Sequence, residues 1–228
     1  MKNVLIITGQ NNHDWKVTSP FFKKVLEDDG RFNVTITEDP DNCLKVPGAL
    51  DGIDVILLDY NGSMWCEESK AAFVKAIENG TGLVAIHAAN NWTNGFDELE
   101  VMLGVVWTGV SGHGYYHKFE IEVQMPDHPF AKGLSNFCNY DELYHRLENT
   151  QNATFEVIAD AYSAPEQKGT GNREPMLIAN TYGKGRIIHN LLGHVWPVKE
   201  GTPDMRSIDN DDYKALLVRC CLYTAGLM

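Results

Sequence analysis

No cysteine pair in this 228-residue chain has CxxC spacing, and its five cysteines (Cys43, Cys66, Cys138, Cys220, Cys221) are odd in number. They form no even disulfide framework. Positive charge is scarce: 19 basic residues face 31 acidic ones, and a net charge of −12 repels phosphate backbones and anionic lipid, so nucleic acid and membrane are not expected partners. No apolar run is long enough to cross a bilayer. The first residues pass from Met1-Lys2-Asn3 straight into the short run Val4-Leu5-Ile6-Ile7, too brief for a signal-peptide core. A cytoplasmic protein is expected, a leader cut away before Met1 aside. HExxH spacing, internal repeats, heptads and low-complexity tracts are absent as well.

The composition that remains, 43% hydrophobic and 22% charged, is that of one large domain over residues 1–228 with a substantial core. Its pattern alternates strand and helix. Strands are expected at 4–8, 32–37, 55–58 and 83–87. A helix opens at the hydroxyl cap Thr18-Ser19 before Pro20, and another spans 67–78. That order predicts an α/β fold, a doubly wound, flavodoxin-like and mostly parallel sheet. Additional strands in a middle insertion follow: 119–123, an extended stretch around 141–145, 153–161 and 175–181. Tyr182-Gly183-Lys184-Gly185-Arg186 reads as a tight hairpin, leading to a last strand that ends at Gly193-His194 and to a closing helix over 210–224.

The stretch TGLVAIHAANNW, residues 81–92, is the centre of this pattern. Leu83 to Ile86 are apolar without alternation, as in a parallel strand covered on both faces, and such strands bind ligands beyond their carboxyl ends. His87 stands there, followed by small Ala88 and Ala89 and by Asn90, Asn91 and Trp92. A lone strand-end histidine is as often a satisfied structural residue as a functional one. Three of them, His13, His87 and His194, fall after parallel strands and hence on one rim, and His113 and Glu142 can reach that rim from the insertion. Trp15, Trp92 and Trp196 accompany the three histidines and suit a sugar ring, though tryptophans also serve as lids over a core. His117, His128, His145 and His189 read as structural, and Cys66 is the one thiol near a helix start.

The NNHDW loop, VAIHAANNW, SGHGYYH, PDHPFAKGL, DELYH and YGKGRIIHNLLGH, in this order, resemble the ThuA-like, trehalose-utilisation family, related to class I glutamine amidotransferases. The similarity covers nearly the whole chain. It implies a flavodoxin-like domain with extra strands and a link to disaccharide utilisation, in which partner oxidoreductases make 3-keto sugars. In the amidotransferases a nucleophilic cysteine sits on the tight turn after a strand. The corresponding stretch here is Ala85-Ile86-His87-Ala88-Ala89, so a glutaminase is not expected.

The chemistry expected is carbohydrate or keto-sugar conversion (isomerase, lyase or hydrolase) with His87, His194 and Glu142 handling protons, since imidazole titrates near pH 6.5. His13, Trp15, Asn90, Asn91, Trp92, His113 and Trp196 are the candidate substrate contacts. In a variant, a divalent metal sits among His13, His87, His113 and His194. The alternative is a non-catalytic sugar-binding or regulatory domain on an amidotransferase-like scaffold. Assembly with copies of itself is left open.

Overall fold

The computed structural model describes residues 1–228. The order of elements is β1 (Lys2–Ile7), α1 (Trp15–Asp29), β2 (Phe32–Thr37), α2 (Pro40–Leu44), β3 (Val55–Leu58), α3 (Glu67–Glu78), β4 (Gly82–Ile86) and α4 (Asp97–Leu103). Then come β5 (Gly112–Val123), β6 (Phe137–His145), β7 (Glu156–Tyr162), β8 (Arg173–Tyr182), β9 (Gly185–Asn190) and α5 (Asp211–Thr224). All nine strands join one sheet in the order β2-β1-β3-β4-β9-β8-β7-β5-β6. The first five run parallel and the rest pair antiparallel, so the fold is mixed α/β.

The parallel half explains the unalternating apolar runs. Every residue of β3 and β4 is buried because helices cover both faces. Val4, Ile6, Val84 and Ile86 pack with Phe22 and Leu26 of α1 and Leu217 and Cys220 of α5. Their neighbours Leu5, Ile7, Leu83 and Ala85 pack with Phe73 and Ile77 of α3 and Leu99 and Met102 of α4. A slip of one residue would exchange these two sets, which fixes the register. Chain leaving β4 makes the antiparallel excursion β5 to β8 and returns as β9 directly beside β4, with Ala85 opposite His189.

Several expected boundaries differ: the strand expected at 119–123 begins already at Gly112, the one expected at 153–161 begins only at Glu156, and two further shifts bear on the site. Helix α1 begins at Trp15 rather than after Thr18-Ser19, because both hydroxyls donate to the buried Asp59 carboxylate, at 2.6 and 2.7 Å, instead of capping a helix. Strand β9 ends at Asn190, before Gly193-His194. Gly193 has φ of +130°, and a Cβ there would meet Ile86 and the Tyr213 hydroxyl at 2.8 Å. Only glycine lets this segment turn so close beneath β4.

Candidate functional site

Three loops at the carboxyl edge of the parallel strands each deliver one imidazole. After β1, Gly9 (φ +112°) passes against the Glu38 carbonyl, and Asn11 Oδ1 accepts from the His13 backbone N–H at 3.0 Å. His13 Nδ1 lies 3.0 Å from Asn12 Oδ1, itself held by the Asn61 amide at 2.6 Å. After β4, His87 has φ of +46°, a left-handed backbone that a bulky residue adopts only under constraint from its surroundings. Its Nδ1 lies 2.8 Å from the Leu191 carbonyl, so Nδ1–H donates there. Tyr144 stacks on its ring at 4.2 Å and fixes the ring plane.

His194 lies past β9 in a segment held by the buried carboxylate of Asp141. Asp141 accepts backbone N–H groups from Gly193 (2.7 Å), Glu142 (2.9 Å) and His194 (3.3 Å). Burial pushes the Asp141 carboxyl up to about 8 against the pull of those donors. The loops are also tied to each other, Asp14 N–H donating to the Val195 carbonyl at 2.8 Å.

The three rings meet. His13 Nε2 is 3.0 Å from His194 Nδ1, and the His13 and His87 rings are 4.7 Å apart, edge to face. Glu142, on β6, brings Oε2 to 3.2 Å from His194 Nδ1. One ligand atom from each of His13, His87, Glu142 and His194 lies within 4.8 Å of the others. Burial, then the neighbouring imidazoles, pushes His13 down to about 3 and His87 well below its ordinary value. Burial, then His113, takes His194 to about 4. All three rings are therefore neutral near pH 7 and present lone pairs rather than positive charge. Burial raises the Glu142 carboxyl, with His113 opposing.

The remaining candidates divide. Trp196, 53% exposed, lies parallel to the His194 ring at 5.6 Å and edge-on to the His13 ring at 5.3 Å. His113 stands at the outer side of Glu142, its Nδ1 3.4 Å from Oε2 and 2.8 Å from the Gly114 carbonyl. Trp92 is elsewhere, packed with Tyr60, Trp65 and Phe96 in the cluster on the opposite face of the sheet. Asn90 turns its amide to His189, at 3.4 Å, and Asn91 lies on the surface beside Asn94 and Asp97. Trp15, at the start of α1, faces the Lys16 ammonium and is not among the rings around His13. Cys66 occupies the cap of α3, 3.2 Å from the Ser69 hydroxyl, away from the cluster.

Asp141 and Tyr144 were missed by sequence reasoning. For Asp141 the signal lay in the alternation of β6, where Asn139, Asp141 and Leu143 share the inward side and a carboxylate falls on it. Tyr144 had none, because its stacking partner is 57 positions away in sequence.

A family model described as ThuA, trehalose utilisation, matches residues 3–206. Among solved structures, a ThuA-like protein from Parabacteroides merdae is similar, with 28% identity and a TM-score of 0.86, over 98% of this chain and 90% of that one. A ThuA-like protein from Bacteroides uniformis has 23% identity and a TM-score of 0.73, over 98% and 91%. The fold also recurs within a β-galactosidase from Bacillus circulans, at 13% identity and a TM-score of 0.59, over 99% of this chain but 31% of that enzyme. No curated protein sequence matches significantly. No helix is long and apolar enough to cross a membrane.

Proposed function

The chain belongs to the ThuA trehalose-utilisation family, whose fold is glutamine amidotransferase-like, and from that premise we propose that it is a carbohydrate-utilisation enzyme acting on a disaccharide or 3-keto sugar. We read residues 1–228 as one cytoplasmic domain built on a doubly wound, flavodoxin-like unit. Its partner is a small carbohydrate, not nucleic acid.

The observation that carries the proposal is the convergence of His13, His87, His194 and Glu142 from four separate elements beneath the exposed Trp196. Neutral imidazoles gathered beside an exposed tryptophan accept hydrogen bonds from a ligand rich in hydroxyls. Trp196 offers a flat apolar face to a pyranose ring. In a 3-keto sugar the hydrogens beside the carbonyl are acidified. Glu142, its carboxyl raised by burial, takes one of them on the carboxylate oxygen not turned to His194, leaving an enolate. Glu142 returns that proton to the leaving oxygen as the enolate expels the glycosidic substituent, and His194, its Nδ1 3.2 Å from Oε2, orients the carboxyl. A divalent cation among the imidazoles would add polarisation of the carbonyl. Glutamine hydrolysis is not part of the proposal, since the turn after β4 carries His87 and none of the five cysteines joins the cluster.

The test is turnover of a 3-keto disaccharide by the parent, His87→Ala, His194→Ala, Glu142→Gln and the remote control His128→Ala. The first three variants are expected to lose about 10²-fold or more in kcat and the control almost nothing. Saturable sugar binding without turnover in the parent would favour a sugar-binding domain instead. Equal loss in His128→Ala would remove the site assignment.

A further inference from the structure

We infer that His13 Nε2, His87 Nε2, His194 Nδ1 and Glu142 Oε2 form a binding site for one divalent transition-metal ion, zinc or a neighbour in its row. The site coincides with that of the proposed sugar chemistry, but the inference rests on separate observations.

The first is an orphan. His87 is 2% exposed, its Nδ1 is engaged by the Leu191 carbonyl, and its Nε2 has no hydrogen-bond partner although it is fully buried. A buried polar atom without a partner carries a desolvation cost that folding does not recover unless something binds to it.

The second is how the ligands are held. In zinc and related sites the imidazole nitrogen not on the metal donates to a carbonyl or carboxylate, which fixes the tautomer and turns the other lone pair inward. His87 does this through Leu191 and His13 through Asn12 Oδ1, at 2.8 and 3.0 Å. Tyr144 locks the His87 ring, and Asp141 holds the backbone that carries both His194 and Glu142. The rings of His13 and His87 and the backbone of His194 and Glu142 are thus each held from behind.

The third is the donor set and its spacing. Zinc at about 2.0–2.1 Å from each ligand sets tetrahedral ligands about 3.4 Å apart. The His13–His194 and His194–Glu142 edges, 3.0 and 3.2 Å, are close to that, and all four atoms fall within 4.8 Å. Three imidazoles and one carboxylate suit zinc, iron, nickel and cobalt, whereas magnesium and calcium prefer oxygen shells. His113 is not in the set. It is partly exposed, bonds the Gly114 carbonyl and touches Glu142 from outside, which makes it an outer partner of the carboxylate.

The experiment uses the full chain, stripped with chelator and then titrated with Zn²⁺ by calorimetry and with Co²⁺ by visible absorption, Mg²⁺ serving as the counter-probe. One equivalent of Zn²⁺ per chain is expected, with ligand-field bands for Co²⁺ and no saturable Mg²⁺ uptake. His87→Ala and Glu142→Gln, checked for folding by circular dichroism, should lose saturable uptake, while His113→Ala and His128→Ala should keep it. Asn12→Ala, which leaves His13 Nδ1 only its longer contact to Asn11 Oδ1 at 3.3 Å, should weaken binding about 10-fold. No saturable Zn²⁺ uptake by the parent overturns the site, and so does uptake that survives in folded His87→Ala. Should that variant not fold, unchanged affinity in both His87→Gln and Asn12→Ala overturns it equally. Zinc uptake without keto-sugar turnover sinks the carbohydrate assignment alone. Turnover indifferent to chelator, in a parent that takes up no metal, sinks the metal site alone.

Discussion

Two buried histidines, one just past β4 and one within the adjacent β9, make the sharpest comparison in the molecule. His87 follows β4, and His189 lies in β9 opposite Ala85. Each has its Nδ1 against a backbone carbonyl, Leu191 at 2.8 Å and Leu103 at 3.0 Å, and burial pushes each below its ordinary value. They differ at the second nitrogen. His189 Nε2 faces the Asn90 amide at 3.4 Å, while His87 Nε2 has no partner and sits in the His13 and His194 cluster. His189 also keeps ordinary strand geometry, whereas His87 has a positive φ. An imidazole with both nitrogens engaged is part of the core. One with a nitrogen left over, on a constrained backbone, is poised for a ligand.

The comparison breaks most forcibly at Asp141, which holds the His87 side of the pair together. Asp141→Ala leaves the backbone N–H groups of Glu142, Gly193 and His194 without their acceptor. Each unpaired buried donor costs about 1–3 kcal/mol, so a loss of roughly 4 kcal/mol in urea unfolding is expected after partial relaxation. A loss below about 1 kcal/mol would mean that the cluster is held by packing alone.

His189 should show itself through pH. Burial, opposed by its bond to Leu103, lowers it from 6.5 to about 4. The unfolded chain takes up that proton first, so the contribution is present above pH 6.5 and is lost as pH falls towards 4. In His189→Leu this part vanishes while every other titrating group remains. The parent should therefore lose about 3 kcal/mol more stability than the variant across that window, read from denaturant midpoints at several pH values. Parallel curves would show that His189 is not buried neutral.

Much of this was legible in the chain before folding. Unbroken apolar runs at β3 and β4 and a strand-end histidine after each of three parallel strands were enough to place His13, His87 and His194 on one edge. Side-chain direction within a loop was not legible. Trp92 is five residues after His87, and the 3-10 turn His87–Asn90 carries the chain across, so that Trp92 packs on the opposite face. Thr18 and Ser19 misled because a hydroxyl before proline is a cap signal only when no buried carboxylate competes for it. Asp59 does compete, and it lies about forty positions away in sequence.

Asn90 supplies the smallest expected effect and the finest cut between the two pockets. Asn90→Ala removes the donor to His189 Nε2 and so gives His189 the same unpaired nitrogen as His87. The cost is held down because Asn90 Oδ1 has no partner of its own, so truncation removes one unsatisfied atom as it creates another. Its backbone carbonyl still accepts from Trp107, and the turn is kept. A loss of about 1 kcal/mol in urea unfolding is expected, with keto-sugar turnover and Zn²⁺ uptake unchanged. A tenfold fall in turnover at unchanged stability would instead show that Asn90 acts on the ligand through the 87–90 turn, and that the two histidine pockets work as one.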